Sequence, residues 1–243
     1  MAPDFRKPDH LPKVRGDEGA DPGELPRQRR GSTPQMHGRY PDYDVLEQEG
    51  HWDEVTRRVV LDRVRNVPPI RFFDAVEAET LKAFCDVVTA QDSEPRIPVL
   101  SYVDDKLHSG RLDGYQYYDL PDDRELWRLV ARGLDEEASR RGAPSYADAD
   151  AEEREAIVAD FAEAKLHGGT WSTLSVSRAW TIVTGHIVQA FYAHPWAWNE
   201  IGFGGPAYPR GYSRFGSPHL DKAEREEWEG EEHDARDPGR EAL

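Results

Sequence analysis

His186 and His194 are the residues whose type and placement most readily suggest chemistry. They stand eight residues apart in an apolar helical pattern, with His167 upstream and Glu200 in an aromatic stretch just beyond. Such imidazoles can ligate a metal or move a proton. Helical metal ligands usually recur every three or four residues, as in His-Glu-x-x-His, and a separation of about two turns makes a poor chelate. His194 falls where its helix pattern ends, and an imidazole there can bond free carbonyls and favour the helix dipole when charged. Glu200, among Trp196, Trp198 and Phe203, is the one acid placed like a desolvated group. It can equally tie its loop together through backbone donors. A self-sufficient helical metalloprotein or enzyme built on His186, His194 and Glu200 is therefore one reading of the chain.

The usual cofactor signatures are missing. Gly202-Phe203-Gly204-Gly205 follows a helix and precedes Pro206, so it does not read as the strand-to-helix cradle for a dinucleotide. No phosphate loop of the Gly-x-x-x-x-Gly-Lys-Ser/Thr type and no Gly-x-Ser-x-Gly elbow occurs. The single cysteine, Cys85, excludes an internal disulfide framework, a four-cysteine zinc site and an iron–sulfur cluster held by this chain alone. Its neighbours Leu81, Phe84, Val87 and Val88 make it a packed thiol rather than an activated one.

Binding has better support. Trp196, Trp198, Phe203, Tyr208, Arg210 and Tyr212 alternate with Gly and Pro, and Tyr192, His194, Asn199 and Glu200 lie among or just before them. Trp, Tyr and Arg dominate interface hot spots because they bring large contact area at low entropic cost. Tyr40, Tyr43 and Trp52 supply a second aromatic set near the start. Each set can grip another protein or seal the chain's own core, and both readings stay open. The partner is not nucleic acid. With 47 acidic against 31 basic residues the net charge is −16, which repels phosphate backbones and anionic membranes. No stretch reaches the roughly 18–20 apolar residues needed to cross a bilayer, so direct membrane insertion is not expected.

These residues must be positioned by helices. Three-to-four spacing of apolar residues recurs, and sustained alternation does not, so the fold is expected to be all-α: a compact bundle of about five core helices, an extended N-terminal arm and an irregular aromatic Gly/Pro-rich C-terminal loop. Residues 1–39 are rich in Pro, Gly and charge and are expected to be a disordered tail. Residues 40–71 read as an arm plus a short helix over Trp52 to Val64, with Val55, Val59 and Val60 on one face and Pro68-Pro69 as the stop. The next helix starts at the capping box Asp74/Glu77 and buries Phe73, Val76, Thr80, Phe84, Val87 and Val88. Pro98 opens a helix that ends near Gly110. A tyrosine-rich loop, 112–120, leads to a helix closed by Gly142. Asp150/Glu153 opens another, which carries Ile157, Val158, Phe161 and Leu166 and ends at Gly168-Gly169. The most apolar helix runs from about Thr173 to Ala193, as if touched on most sides. Residues 72–212 form the helical domain, and 213–243 are expected to be an acidic, disordered tail.

The region from about Phe72 to Tyr212 resembles the gluconate 2-dehydrogenase subunit 3 family. The resemblance rests on Phe73-Asp-Ala-Val-Glu-Ala-Glu-Thr-Leu, the Ile97-Pro98 helix with Val103-Asp104, and the Gly142 to Tyr146 turn. Its most specific part is Phe191-Tyr192-Ala193-His194-Pro195 running into Trp198-Asn199-Glu200-Ile201-Gly202-Phe203-Gly204-Gly205-Pro206. It implies a non-catalytic small subunit with no cofactor of its own. The partner it implies is a large FAD-binding dehydrogenase subunit of the glucose-methanol-choline type, which oxidises a sugar, sugar acid or polyol. Some complexes add a cytochrome c that takes the electrons. Family members often carry a twin-arginine signal. Here Arg29-Arg30 is followed by no apolar stretch, so a cytoplasmic complex is expected. Scaffolding of an unrelated partner is a further alternative.

Overall fold

The structure is a computed structural model that describes residues 44–206, apart from positions 93, 112, 115, 116, 202 and 204. The expectations for both tails, and for Tyr40, Tyr43, Tyr208, Arg210 and Tyr212, lie outside the described residues. Those residues are helical and contain no strand: α1 (Glu54–Arg65), α2 (Ala75–Val88), α3 (Val99–His108), α4 (Asp123–Arg141), α5 (Ala151–Ala162), α6 (Val176–Tyr192) and α7 (Pro195–Ile201). Short 3-10 segments cover Val45–His51 and Gly169–Thr173. None of these helices is long and apolar enough to cross a membrane. The chain divides into two compact units. One is Val60–Ala197, and the other holds residues 44–59 and 198–206 of the described chain.

Local chemistry sets the helix ends in the larger unit. Asp74 accepts the Glu77 N–H at 2.9 Å while the Glu77 carboxylate accepts the Asp74 N–H at 3.1 Å, a complete capping box. Asp122 accepts from Arg124 and Glu125 at the start of α4, and Asp150 accepts from Glu153 at the start of α5. Gly142 closes α4 in the left-handed region, at φ 102°. α6 is the central helix, packed against α2, α3, α4 and α5. The core around it is built from fully buried Leu81, Phe84, Trp127, Leu134, Phe161 and Ile187, each contributing about 1.5–3 kcal/mol.

Two buried side chains do backbone work. Asp104, on α3, accepts the N–H groups of Arg71, Phe72 and Phe73 at 2.8, 2.9 and 3.1 Å and so fixes the entry to α2. Gln91 pairs with both the N–H and the C=O of Ile97, at 2.7 and 3.1 Å, and closes the turn between α2 and α3.

Several expectations are corrected. α5 stops at Ala162 rather than near Gly168, because the backbone turns at Ala164 (φ 55°) and the Lys165 N–H returns to the Asp160 C=O. Leu166 is buried beyond the helix instead of within it. α6 starts at Val176, after the separate 3-10 turn. The segment after His194 first forms one more short helix, α7, since proline suits a first helical turn. Val55, Val59 and Val76 are exposed, while Val60 and Leu61 form the buried side of α1.

In the smaller unit, the Asn199 side chain accepts the Val45 N–H at 2.8 Å and donates to the Asp44 carboxylate at 3.1 Å. Gly205, at φ +83°, is so close to this segment that a Cβ would sit 2.9 Å from Val45 and 3.2 Å from Trp52. The part of the arm from Asp44 to Trp52 thus packs on Asn199 and Gly205 of its own chain.

Candidate functional site

The most chemically dense site in the larger unit centres on His186. Helix packing brings it together: α6 supplies His186 and Gln189, α4 supplies Asp123 and Trp127, α3 supplies Lys106, and the loop after α3 supplies Asp113. The ring of His186 is 4% exposed. Trp127 donates its indole N–H to Nδ1 at 3.0 Å, with the two rings nearly parallel at 9°. Since Nδ1 accepts, the neutral ring carries its proton on Nε2, which faces Asp113 at 3.1 Å and Asp123 at 3.9 Å. Lys106 pairs with Asp113 at 2.7 Å and reaches the Gln189 amide oxygen at 3.3 Å.

Burial sets the protonation of this group. It pushes His186 below the ordinary imidazole range, helped by the Lys106 charge, and pushes the Asp123 carboxyl up. The hydrogen bond from Lys106 holds Asp113 down, with a further one from His186. The arrangement can hold and relay a proton. Both nitrogens of His186 are engaged, and among the described residues no group of three or more His, Cys, Asp or Glu is placed to hold a metal ion.

His194 belongs to a different network. It is buried between α6 and α7, where Nδ1 accepts the Trp196 N–H at 3.2 Å and caps the start of α7. Tyr102 lies beside it, with ring centres 6.4 Å apart, and donates its hydroxyl to the Arg63 carbonyl. The Arg63 guanidinium in turn donates to the Ala193 carbonyl. Burial, with Arg63 nearby, lowers His194 to about 4. The two histidines that the sequence singles out thus enter separate networks. Cys85 is buried and desolvation pushes its thiol far up, so it is unreactive.

The proposed contact residues divide by exposure. Tyr192 is 44% exposed on α6, and Trp196 is half-buried with its ring 4.7 Å from that of His194. Trp52, Trp198 and Asn199 are buried in the isolated chain. Trp198 meets Phe203 edge-on at 5.5 Å, and its carbonyl accepts the Phe203 N–H. The side chain of Glu200 lies outside the described residues. The approach of Gly205 to Val45 and Trp52 makes this glycine a packing device.

Residues 75–205, from α2 through α7, match the family model for gluconate 2-dehydrogenase subunit 3. The chain belongs to this family. The match takes in Asp104, the His186 cluster, His194 and Asn199, while Arg63 of the His194 network lies before it. No curated protein and no solved structure matches the chain. The family name makes this a subunit of a gluconate 2-dehydrogenase type of complex, within which FAD serves the oxidation.

Sequence reasoning picked out His186 and missed its partners. Trp127, Asp123, Asp113 and Lys106 are separated from it by 59 to 80 positions, and no local spacing links them. The one available signal was a histidine inside the most apolar helix, which must find buried polar partners somewhere.

Proposed function

We propose that this chain is a non-catalytic accessory subunit, and that it supports the folding, stability or assembly of a large FAD-binding dehydrogenase subunit of the glucose-methanol-choline type. The observation that carries the reading is the family match over α2 to α7. Three buried polar groups of the bundle are consistent with it in being engaged within the chain: Asp104 by three backbone donors, His194 by a helix start, His186 by Trp127 and Asp113.

In this reading the substrate, a sugar, sugar acid or polyol, binds to the partner. The FAD is the partner's, and a cytochrome c or another acceptor takes the electrons. The partner contact is assigned to Tyr192 and Trp196, with the cytoplasm as the site of assembly. Co-expression with a large FAD-binding dehydrogenase subunit of the glucose-methanol-choline type from the same genome should give one co-eluting yellow species at micromolar concentration. Separate elution, with the flavoprotein stable and active by itself, would overturn the proposal. Fractionation of the producing cells checks the compartment.

A further inference from the structure

We propose that His186 is a proton-driven partner switch between the core and the loop after α3: neutral, it bridges the Trp127 indole and Asp113; protonated, it gives up Trp127 and is held by Asp113 and Asp123 alone.

The argument starts from donor and acceptor counting. Trp127 can only donate, and its N–H points at Nδ1 of His186 at 3.0 Å. A second proton on the ring would occupy Nδ1 and set donor against donor. One of the two groups must then move, and a buried indole N–H loses its acceptor. The opposite edge of the ring behaves in the reverse sense. Nε2 faces Asp113 at 3.1 Å and Asp123 at 3.9 Å, and both carboxylates attract an imidazolium.

The charged groups bearing on the ring come from three directions. Lys106 on α3 opposes its protonation. Asp123 on α4 and Asp113 in the loop favour it, and Asp122 bears on Asp123. Burial opposes the charge and holds the ring below the ordinary imidazole range.

The consequence is mechanical. Asp113 precedes Asp119 in the chain, and Asp119 is ion-paired with Arg178. The Arg178 guanidinium lies over the rings of Tyr117, at 5.0 Å, and Tyr118, at 5.7 Å, and Tyr118 is 94% exposed. The proton thus frees His186 from the Trp127 indole and leaves α6 held through the carboxylates of Asp123, at the start of α4, and Asp113.

The full chain, labelled with 15N at histidine and tryptophan, is titrated by NMR from pH 8 to pH 4.5. At pH 7.5 His186 should show the neutral Nε2–H pattern, and the Trp127 indole N–H should be protected from exchange. Both signals should change with one midpoint below 6.5, and the indole should lose its protection. Trp127→Phe removes the competing donor and should raise the His186 midpoint by about one pH unit, the equivalent of one hydrogen bond. Asp113→Asn, at an exposed position, should lower it. A His186 that is already charged at pH 7.5 would overturn the proposal. So would an indole signal indifferent to the His186 titration, a reading that needs no variant to fold.

Discussion

Trp171 lies directly on Gly133. Its indole N–H donates to the Gly133 carbonyl at 3.0 Å, and a Cβ on Gly133 would fall 2.7 Å from the ring. A glycine in the middle of α4 costs about 1 kcal/mol of helix propensity, and the buried indole is what it makes room for. Gly133→Ala should therefore destabilise the chain by up to about 2 kcal/mol net, since overpacking costs about 1–3 kcal/mol and the propensity gain returns about 1 kcal/mol. Urea unfolding measures this. A more stable variant would show that Trp171 can shift without loss.

Asp104 makes a prediction of the opposite kind, a loss of partners rather than of space. Asp104→Ala would strand three backbone N–H groups at the entry to α2, at a cost of about 3 kcal/mol or more. The entry to α2 should then exchange its amides faster than the α4 core does. Hydrogen exchange resolved by residue checks this, and uniform loosening would contradict the local role.

The two cases mark what the sequence could disclose. The starts of α2 and α5 and the end of α4 were legible because Asp74/Glu77, Asp150 and Gly142 act on backbone within a few residues. Val76 and Val55 show the limit of periodicity: both fit an apolar stripe, yet each lies past the edge of what its neighbours cover. Ala164 takes the left-handed turn that was expected of glycine a few residues on, and no residue type announces it. At the candidate site His194 was recognised as a capping imidazole, though the helix it caps is the following one. The partners of His186 and Asp104 come from other elements and only the folded chain assembles them.

His194 gives stability a pH dependence of definite sign. Its folded value, about 4, is below the ordinary 6.5, so the unfolded chain binds the proton more readily. The stabilisation is fully present above about pH 6.5 and is lost as pH falls from there toward 4, with a size on the order of 2–3 kcal/mol. His194→Gln should flatten this part of the curve of unfolding free energy against pH. A profile unchanged from the parent would remove His194 from the account. His186 titrates in the same direction, so the comparison is made within a Trp127→Phe background as well.

Tyr192 and Trp198 separate contact from packing. Tyr192→Ala, at a half-exposed position on α6 where the ring meets Phe191 edge-on at 5.1 Å, should cost the isolated chain only about 0.5–1.5 kcal/mol. It should weaken the complex by about tenfold or more if the ring is an interface anchor. Trp198→Ala removes a buried indole that meets Phe203 and should destabilise the isolated chain by about 3 kcal/mol. Calorimetric binding and urea unfolding on the same two variants distinguish these outcomes. Equal loss of stability in both would place Tyr192 in the packing of the chain.

The most direct measurement is made on the purified single chain, assayed for flavin and haem absorbance and for oxidation of gluconate and related polyols with an artificial acceptor. The account predicts a colourless, inactive protein, with flavin and turnover appearing only in the fraction that contains the large subunit. A single chain that carries its own flavin or haem, or turns over substrate, would contradict it.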